Sequence, residues 1–294
     1  MELIDYRKKL TVQLPLRRSL RKLAALPAVA ALGIAGLLSG ATAAEATPAG
    51  GYVSFGDSFP ANPSLIGGAT QGGAGGCLQD ANNIGRQVAG QLNLELHDYS
   101  CNGSVVYVPT QPPQKHLAAQ VDAAQARGDL NPGTKLVTFF IGANDTMQGA
   151  LIPAPIQDGE YIRNQVDALN RVHALAPNAR VMVVGYPGFS SSDPGHYVCP
   201  VNVAGFAPQI PGLPVNLAET GLQNRQIESA RQGNAQFVDL KQISGVNVGM
   251  CGRDGERQVS AVLDGNLGSY NMPAHPTYVG QTVIANTIAG AYRG

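Results

Sequence analysis

Lys135-Leu136-Val137-Thr138-Phe139-Phe140-Ile141 is an apolar run that ends abruptly at Gly142-Ala143-Asn144-Asp145. A run of this kind is too short for a packed helix and shows no polar alternation, so it reads as a strand buried on both faces. Arg180–Gly185, with Val181-Met182-Val183-Val184, reads the same way. Tyr52–Phe55, Leu94–Tyr99 and Gln236–Leu240 are further strand candidates. Helical stripes separate them: Ile84, Val88 and Leu92 within 83–92, the Ala-rich 117–127 stopped by Gly128, and Ile162, Val166, Leu169, Val172 and Leu175 within 161–175. A polar helix is predicted over 219–231 and a last one over 277–292. Strand and helix alternating in this rhythm imply parallel strands joined by right-handed crossovers, in an α/β fold of three layers, α/β/α.

In such sheets ligands bind beyond the carboxyl ends of the strands. The first strand candidate runs directly into Gly56-Asp57-Ser58, and the run at 135–141 into Asn144. A hydroxyl and an amide therefore fall on the same sheet edge. A third segment, Ala274-His275-Pro276, adds an imidazole. Nucleophile, amide donor and general base are the groups needed for acyl transfer through a serine ester. Asp57 and Asp145 read as structural carboxylates holding the neighbouring loops. The Gly-rich stretch from Gly67-Gly68 to Gly75-Gly76 lacks the Lys-Ser/Thr of a phosphate loop and reads as a flexible loop.

Hydrophobic content of 44% and charge of 14% describe a globular chain, and 36 Gly with 20 Pro imply many loops. The zero formal charge conceals an asymmetry. Residues 1–43 carry Arg7, Lys8, Lys9, Arg17, Arg18, Arg21 and Lys22 against Glu2 and Asp5, which leaves 13 basic and 18 acidic residues beyond them. A mildly acidic remainder argues against nucleic-acid binding. The same 43 residues have the form of an export signal: a basic stretch, the apolar 23–38, then Ala41-Thr42-Ala43. Arg17-Arg18 gives it a twin-arginine character. Residues 44–51 read as a linker, and 52–294 as a single domain. Cys77, Cys101, Cys199 and Cys251 all lie after the signal, and an even count in an exported chain reads as disulfides. Of three pairings, the sequential one, Cys77–Cys101 and Cys199–Cys251, closes each loop within one region. Neither the cysteines nor the five histidines show metal-ligand spacing, so no metal or cofactor is expected.

The ordered blocks Phe55-Gly56-Asp57-Ser58, Ser100-Cys101-Asn102-Gly103, Gly142-Ala143-Asn144-Asp145 and His275-Pro276 resemble those of the SGNH, or GDSL, hydrolases. The resemblance runs from Gly56 to Gln281. It implies a flavodoxin-like parallel sheet of about five strands. It also implies a secreted serine esterase or lipase that hydrolyses carboxylic esters through an acyl-serine intermediate. Ser58 would be the nucleophile and His275 the base, with an oxyanion hole made by the N–H groups of Ser58 and Gly103 and the amide of Asn144. Glycine at 103 is expected because a side chain there would crowd the approaching oxygen.

The chain departs from the family pattern at Met272, where an aspartate should precede the histidine. A thioether can neither hold an imidazole N–H nor balance imidazolium charge. The expectation is a Ser–His dyad whose imidazole is oriented by a backbone carbonyl in the Asn271–Met272 turn, with Asp264 as the rival group. The expected partner is an ester or lipid small molecule, with transient contact to a membrane or cell envelope, and the protein a monomer. Two other functions use the same sequence: transfer of the acyl group to a sugar or envelope lipid, and an inactive wall-associated binding protein. Tyr186 to Ala218, rich in Pro, Gly and apolar residues, reads as a disulfide-tied wall that selects the substrate.

Overall fold

The structure, a computed structural model, describes residues 50–64, 70–241 and 248–294, all within one compact unit spanning Ala46–Gly294. The export-signal segment and almost all of the linker lie outside the described residues, as do Gly67 and Gly68.

Five strands form the central sheet: β1 (Gly51–Gly56), β2 (Glu95–Asp98), β3 (Thr134–Phe140), β4 (Arg180–Val184) and β5 (Gln236–Val238). Every pairing is parallel, and the spatial order is β2-β1-β3-β4-β5. This is the flavodoxin-like order, and it bears out the α/β/α expectation. Among the described residues seven α-helices accompany the sheet: α1 (Ser58–Ala61), α2 (Ile84–Leu92), α3 (Leu117–Arg127), α4 (Ala143–Gln148), α5 (Ala154–Leu175), α6 (Leu213–Gln232) and α7 (Tyr278–Arg293). α2 packs against α7, and α3 and α6 pack against α5. Right-handed crossovers place these groups on opposite faces of the sheet.

The inner strands β1, β3 and β4 are largely apolar because both faces are covered, whereas the edge strand β2 reads Glu-Leu-His-Asp and leaves Glu95 exposed. Val53, Phe55, Leu136, Val137 and Phe139 are fully buried, and Phe55 contacts Phe139 at 5.2 Å between ring centroids. The polar side chains in this layer pair with each other: Tyr52 Oη and Thr138 Oγ1 lie 2.9 Å apart.

The boundaries differ from the sequence reading where proline stands. α5 starts seven residues before the predicted Tyr161, and α6 six before Glu219. Pro155 and Pro214 occupy first-turn positions of these helices, where a missing N–H costs nothing, so they begin helices instead of breaking them. Part of the Gly-rich stretch is ordered into a ribbon, Thr70–Gly72 paired antiparallel with Leu78–Asp80. A second small ribbon, Val201–Asn202 with Leu263–Asp264, was not anticipated.

Candidate active site

Ser58 enters the site directly from β1. Gly56 ends the strand, and a Cβ there would stand 2.3 Å from Pro60 Cγ and 2.7 Å from the carbonyl oxygen of Phe140. Only glycine allows the chain to turn that closely into α1. Asp57 caps the turn by accepting from Phe59 N at 2.9 Å. Gln120 from α3 holds Gly56 by both backbone groups, accepting from its N–H at 2.9 Å and donating to its carbonyl at 2.8 Å. The turn that carries Ser58 is thus fixed on each side, and Ser58 is 6% exposed.

His275 meets it from the other end of the chain. Its Nε2 lies 2.8 Å from Ser58 Oγ, and its Nδ1 lies 2.8 Å from the carbonyl oxygen of Pro273. A carbonyl oxygen only accepts, so the neutral ring carries its proton on Nδ1 and turns the Nε2 lone pair toward the serine hydroxyl. Burial pulls the His275 pKa below the ordinary imidazole value, and the Pro273 contact only partly opposes this. The ring also packs against Phe59, with centroids 5.0 Å apart.

The orienting group therefore differs from both sequence candidates. The Met272 carbonyl is occupied by Ser260 Oγ at 2.9 Å, and the contact falls one residue later, to Pro273. Ala274 adopts φ +56°, a left-handed turn that brings the ring of residue 275 back over the carbonyl of 273. Asp264 is not near this role. Its carboxylate forms a two-pronged ion pair with Arg257 and accepts from Ala261 N and Asn266 N, all away from the imidazole. Neither side chain of that pair is more than 1% exposed.

Asn144 stands at the start of α4 and is 8% exposed. Its Nδ2 donates to the carbonyl of Ser104 at 2.9 Å, which fixes the amide and leaves its second N–H for a ligand. The backbone N–H groups of Ser58 and Gly103 have no acceptor among the described residues. Gly103 adopts φ +80°, and a Cβ there would meet nothing within 4 Å. The left-handed backbone at 103 by itself calls for glycine. Asp145 ties this loop to α4 by accepting from Val106 N and Tyr107 N, and burial pushes its pKa up to about 7.

The pair opens onto a cavity of about 530 Å³ lined by Phe59, Met147, Phe189, Val215, Ala218 and Leu222 among others. The stretch from Tyr186 to Ala218 contributes its two ends to this wall. Its middle carries Phe206 and Ile210 on the exposed surface and is pinned by the Cys199–Cys251 disulfide. Cys77 pairs with Cys101, two residues before Gly103. Among the described residues no cluster of His, Cys, Asp or Glu could hold a metal ion. Sequence reasoning missed Gln120, Ser260 and Tyr186. Gln120 and Tyr186 bond residues 64 and 129 positions away, Ser260 bonds residues 12 and 15 positions away, and their local patterns carry no mark of this.

The model of the GDSL-like Lipase/Acylhydrolase family matches residues 54–283. Lipase 2 of Streptomyces coelicolor is 26% identical over 299 residues, covering 92% of this chain and 95% of that protein. The structure superposes on phospholipase A1 from Streptomyces albidoflavus with a TM-score of 0.55 and 20% identity, covering 81% of this chain and 99% of the other. The extracellular lipase of Streptomyces rimosus gives 0.53 and 18%, with the same coverage.

Proposed function

The chain belongs to the GDSL-like lipase/acylhydrolase family, and from that premise we propose that it is an exported serine esterase in which Ser58 and His275 act as a dyad. Membership makes it a carboxylic ester hydrolase; the dyad, the acyl-serine route and export are our reading. The observation that carries the reading is the 2.8 Å contact between His275 Nε2 and Ser58 Oγ at the cavity wall, with Nδ1 held by a carbonyl.

In this mechanism Ser58 Oγ attacks the ester carbonyl carbon while His275 Nε2 takes its proton. The developing oxyanion is held by the N–H groups of Ser58 and Gly103 and the free N–H of Asn144. Each such donor contributes about 3 kcal/mol of transition-state stabilisation. The imidazolium then returns the proton to the leaving alcohol, leaving an acyl group on Ser58. Water attacks the acyl carbonyl with His275 again as base, and the acid departs. The Pro273 carbonyl dipole stands where a carboxylate would, fixing the tautomer and facing the Nδ1–H of the imidazolium.

The lining of the cavity suits an acyl chain, and the lipase and phospholipase relatives favour ester or lipid substrates. Export is supported by the signal-like first 43 residues and by the two disulfides. Among the described residues no helix is long and apolar enough to cross a membrane. A panel of p-nitrophenyl esters from C2 to C16 with wild type and Ser58→Ala tests the reading. Turnover by the wild type that vanishes in the variant is expected; equal turnover by both would refute it. Products trapped on added alcohol or sugar acceptors would redirect the reading to acyl transfer.

A further inference from the structure

Tyr186 follows β4 by two residues and joins two of the three loops on which the proposed oxyanion donors sit, those of Ser58 and Asn144. Its phenol donates to the carboxylate of Asp57, the residue before Ser58, and accepts from the N–H of Ala143, the residue before Asn144, at 3.2 Å. Asp57 is itself the cap of the nucleophile turn. The Tyr186 ring is wedged between Phe59 and Phe140, at 4.9 Å from each centroid, and is 9% exposed at the cavity wall. The phenol oxygen thereby links the carboxyl ends of three adjacent strands, β1, β3 and β4.

We propose that Tyr186 is a positioning residue that sets the spacing between the Ser58 turn and the Asn144 amide. The proposal rests on the serine-esterase reading above. Ser58 N–H and Asn144 Nδ2 come from different strands, whose ends are joined by Asp57 N–H donating to the Phe140 carbonyl at 3.1 Å and by the Asp57 carboxylate facing the N–H groups of Gly142 and Ala143. The phenol ties both partners, the Asp57 carboxylate and the Ala143 N–H, to β4 and so fixes where that junction stands, and the aromatic packing denies it a second rotamer. Hydrogen-bond donors act in the transition state only when already in place, and a shift of about 1 Å costs about 100-fold in rate. The link works through the neighbouring residues, and Tyr186 itself makes no contact with the reacting atoms.

The test uses Tyr186→Phe, which keeps the ring and removes the bridging oxygen, beside Asp57→Asn and the double variant. Active sites are first counted by fluorophosphonate labelling, and kcat and KM are then measured per labelled site on a soluble p-nitrophenyl ester. Tyr186→Phe is expected to lower kcat per site by about 10- to 100-fold with KM within about threefold. Asp57→Asn is expected to show the same split, and the double variant to be no worse than the poorer single one, because both break the phenol–carboxylate contact. A kcat per site within twofold of wild type, whatever the melting temperature, overturns the proposal, and so do losses that multiply in the double variant. If Tyr186→Phe does not fold, Asp57→Asn decides by the same criterion. A wild type that fails to label would instead sink the esterase reading.

Discussion

The serine and the histidine are held in place by opposite means. Ser58 hangs from a strand buried on both faces, and its turn is fixed by glycine, an aspartate cap and Gln120. The sheet that holds it would form without any chemistry to perform. His275 stands on a stretch outside the sheet, held by bonds to residues 257–261: Ser260 N donates to the His275 carbonyl at 2.9 Å and Thr277 N to the Gln258 carbonyl at 2.9 Å. Behind that segment lies the buried Arg257–Asp264 pair. The Ser58 side is over-determined by packing. The His275 side depends on a few polar contacts, and its Nδ1 partner is a carbonyl of its own loop.

The largest effects are expected at the two proposed reacting groups. Ser58→Ala and His275→Ala should each lower kcat by about 10⁵-fold, read on a p-nitrophenyl ester, since residues acting as a unit fail together. Smaller loss at His275 would mean that the weaker-held side matters less than its geometry suggests.

Asp264→Asn separates support from chemistry. It leaves Arg257 buried with an incomplete partner and should reduce stability by about 3 kcal/mol in denaturant titration. Turnover per folded molecule should stay within about tenfold, because Asp264 does not bond the imidazole. A fall of two orders of magnitude would return the orienting role to this carboxylate.

The pH dependence sharpens the contrast further. Burial holds the His275 pKa below its ordinary value, so the acid limb of kcat/KM should lie below about 6.5. A carboxylate against Nδ1 would move that limb upward. The nucleophile side has its own signature. Burial pushes the folded-state pKa of Asp57 up to about 6 and that of Asp145 to about 7, against an unperturbed 3.8. Both favour the protonated folded form, so their contribution is full below the unfolded value and is lost as pH rises through 6 to 7. Melting temperature should therefore be a few degrees lower at pH 8 than at pH 5. A flat or rising trend would show that other groups control stability there.

The same contrast explains what could be read from the sequence. Buried parallel strands write themselves as apolar runs, so 135–141 and 180–185 were legible, and with them the edge that bears Ser58 and Asn144. The His-Pro pair was legible as a motif. The group that orients the imidazole was not, because every residue has a carbonyl and only the left-handed turn at Ala274 selects that of Pro273. Met272 signalled that a carboxylate was missing but not what replaced it. Tyr186 and Gln120 escaped notice for a related reason. One follows a strand and the other sits in an Ala-rich helix, and their partners are 129 and 64 residues away.

The most direct test is mass spectrometry of the folded protein after reaction with a fluorophosphonate. One adduct is expected, on the peptide containing Ser58, absent from Ser58→Ala and formed far more slowly in His275→Ala. An adduct on another residue, or none on a folded wild type, would contradict the Ser58–His275 dyad.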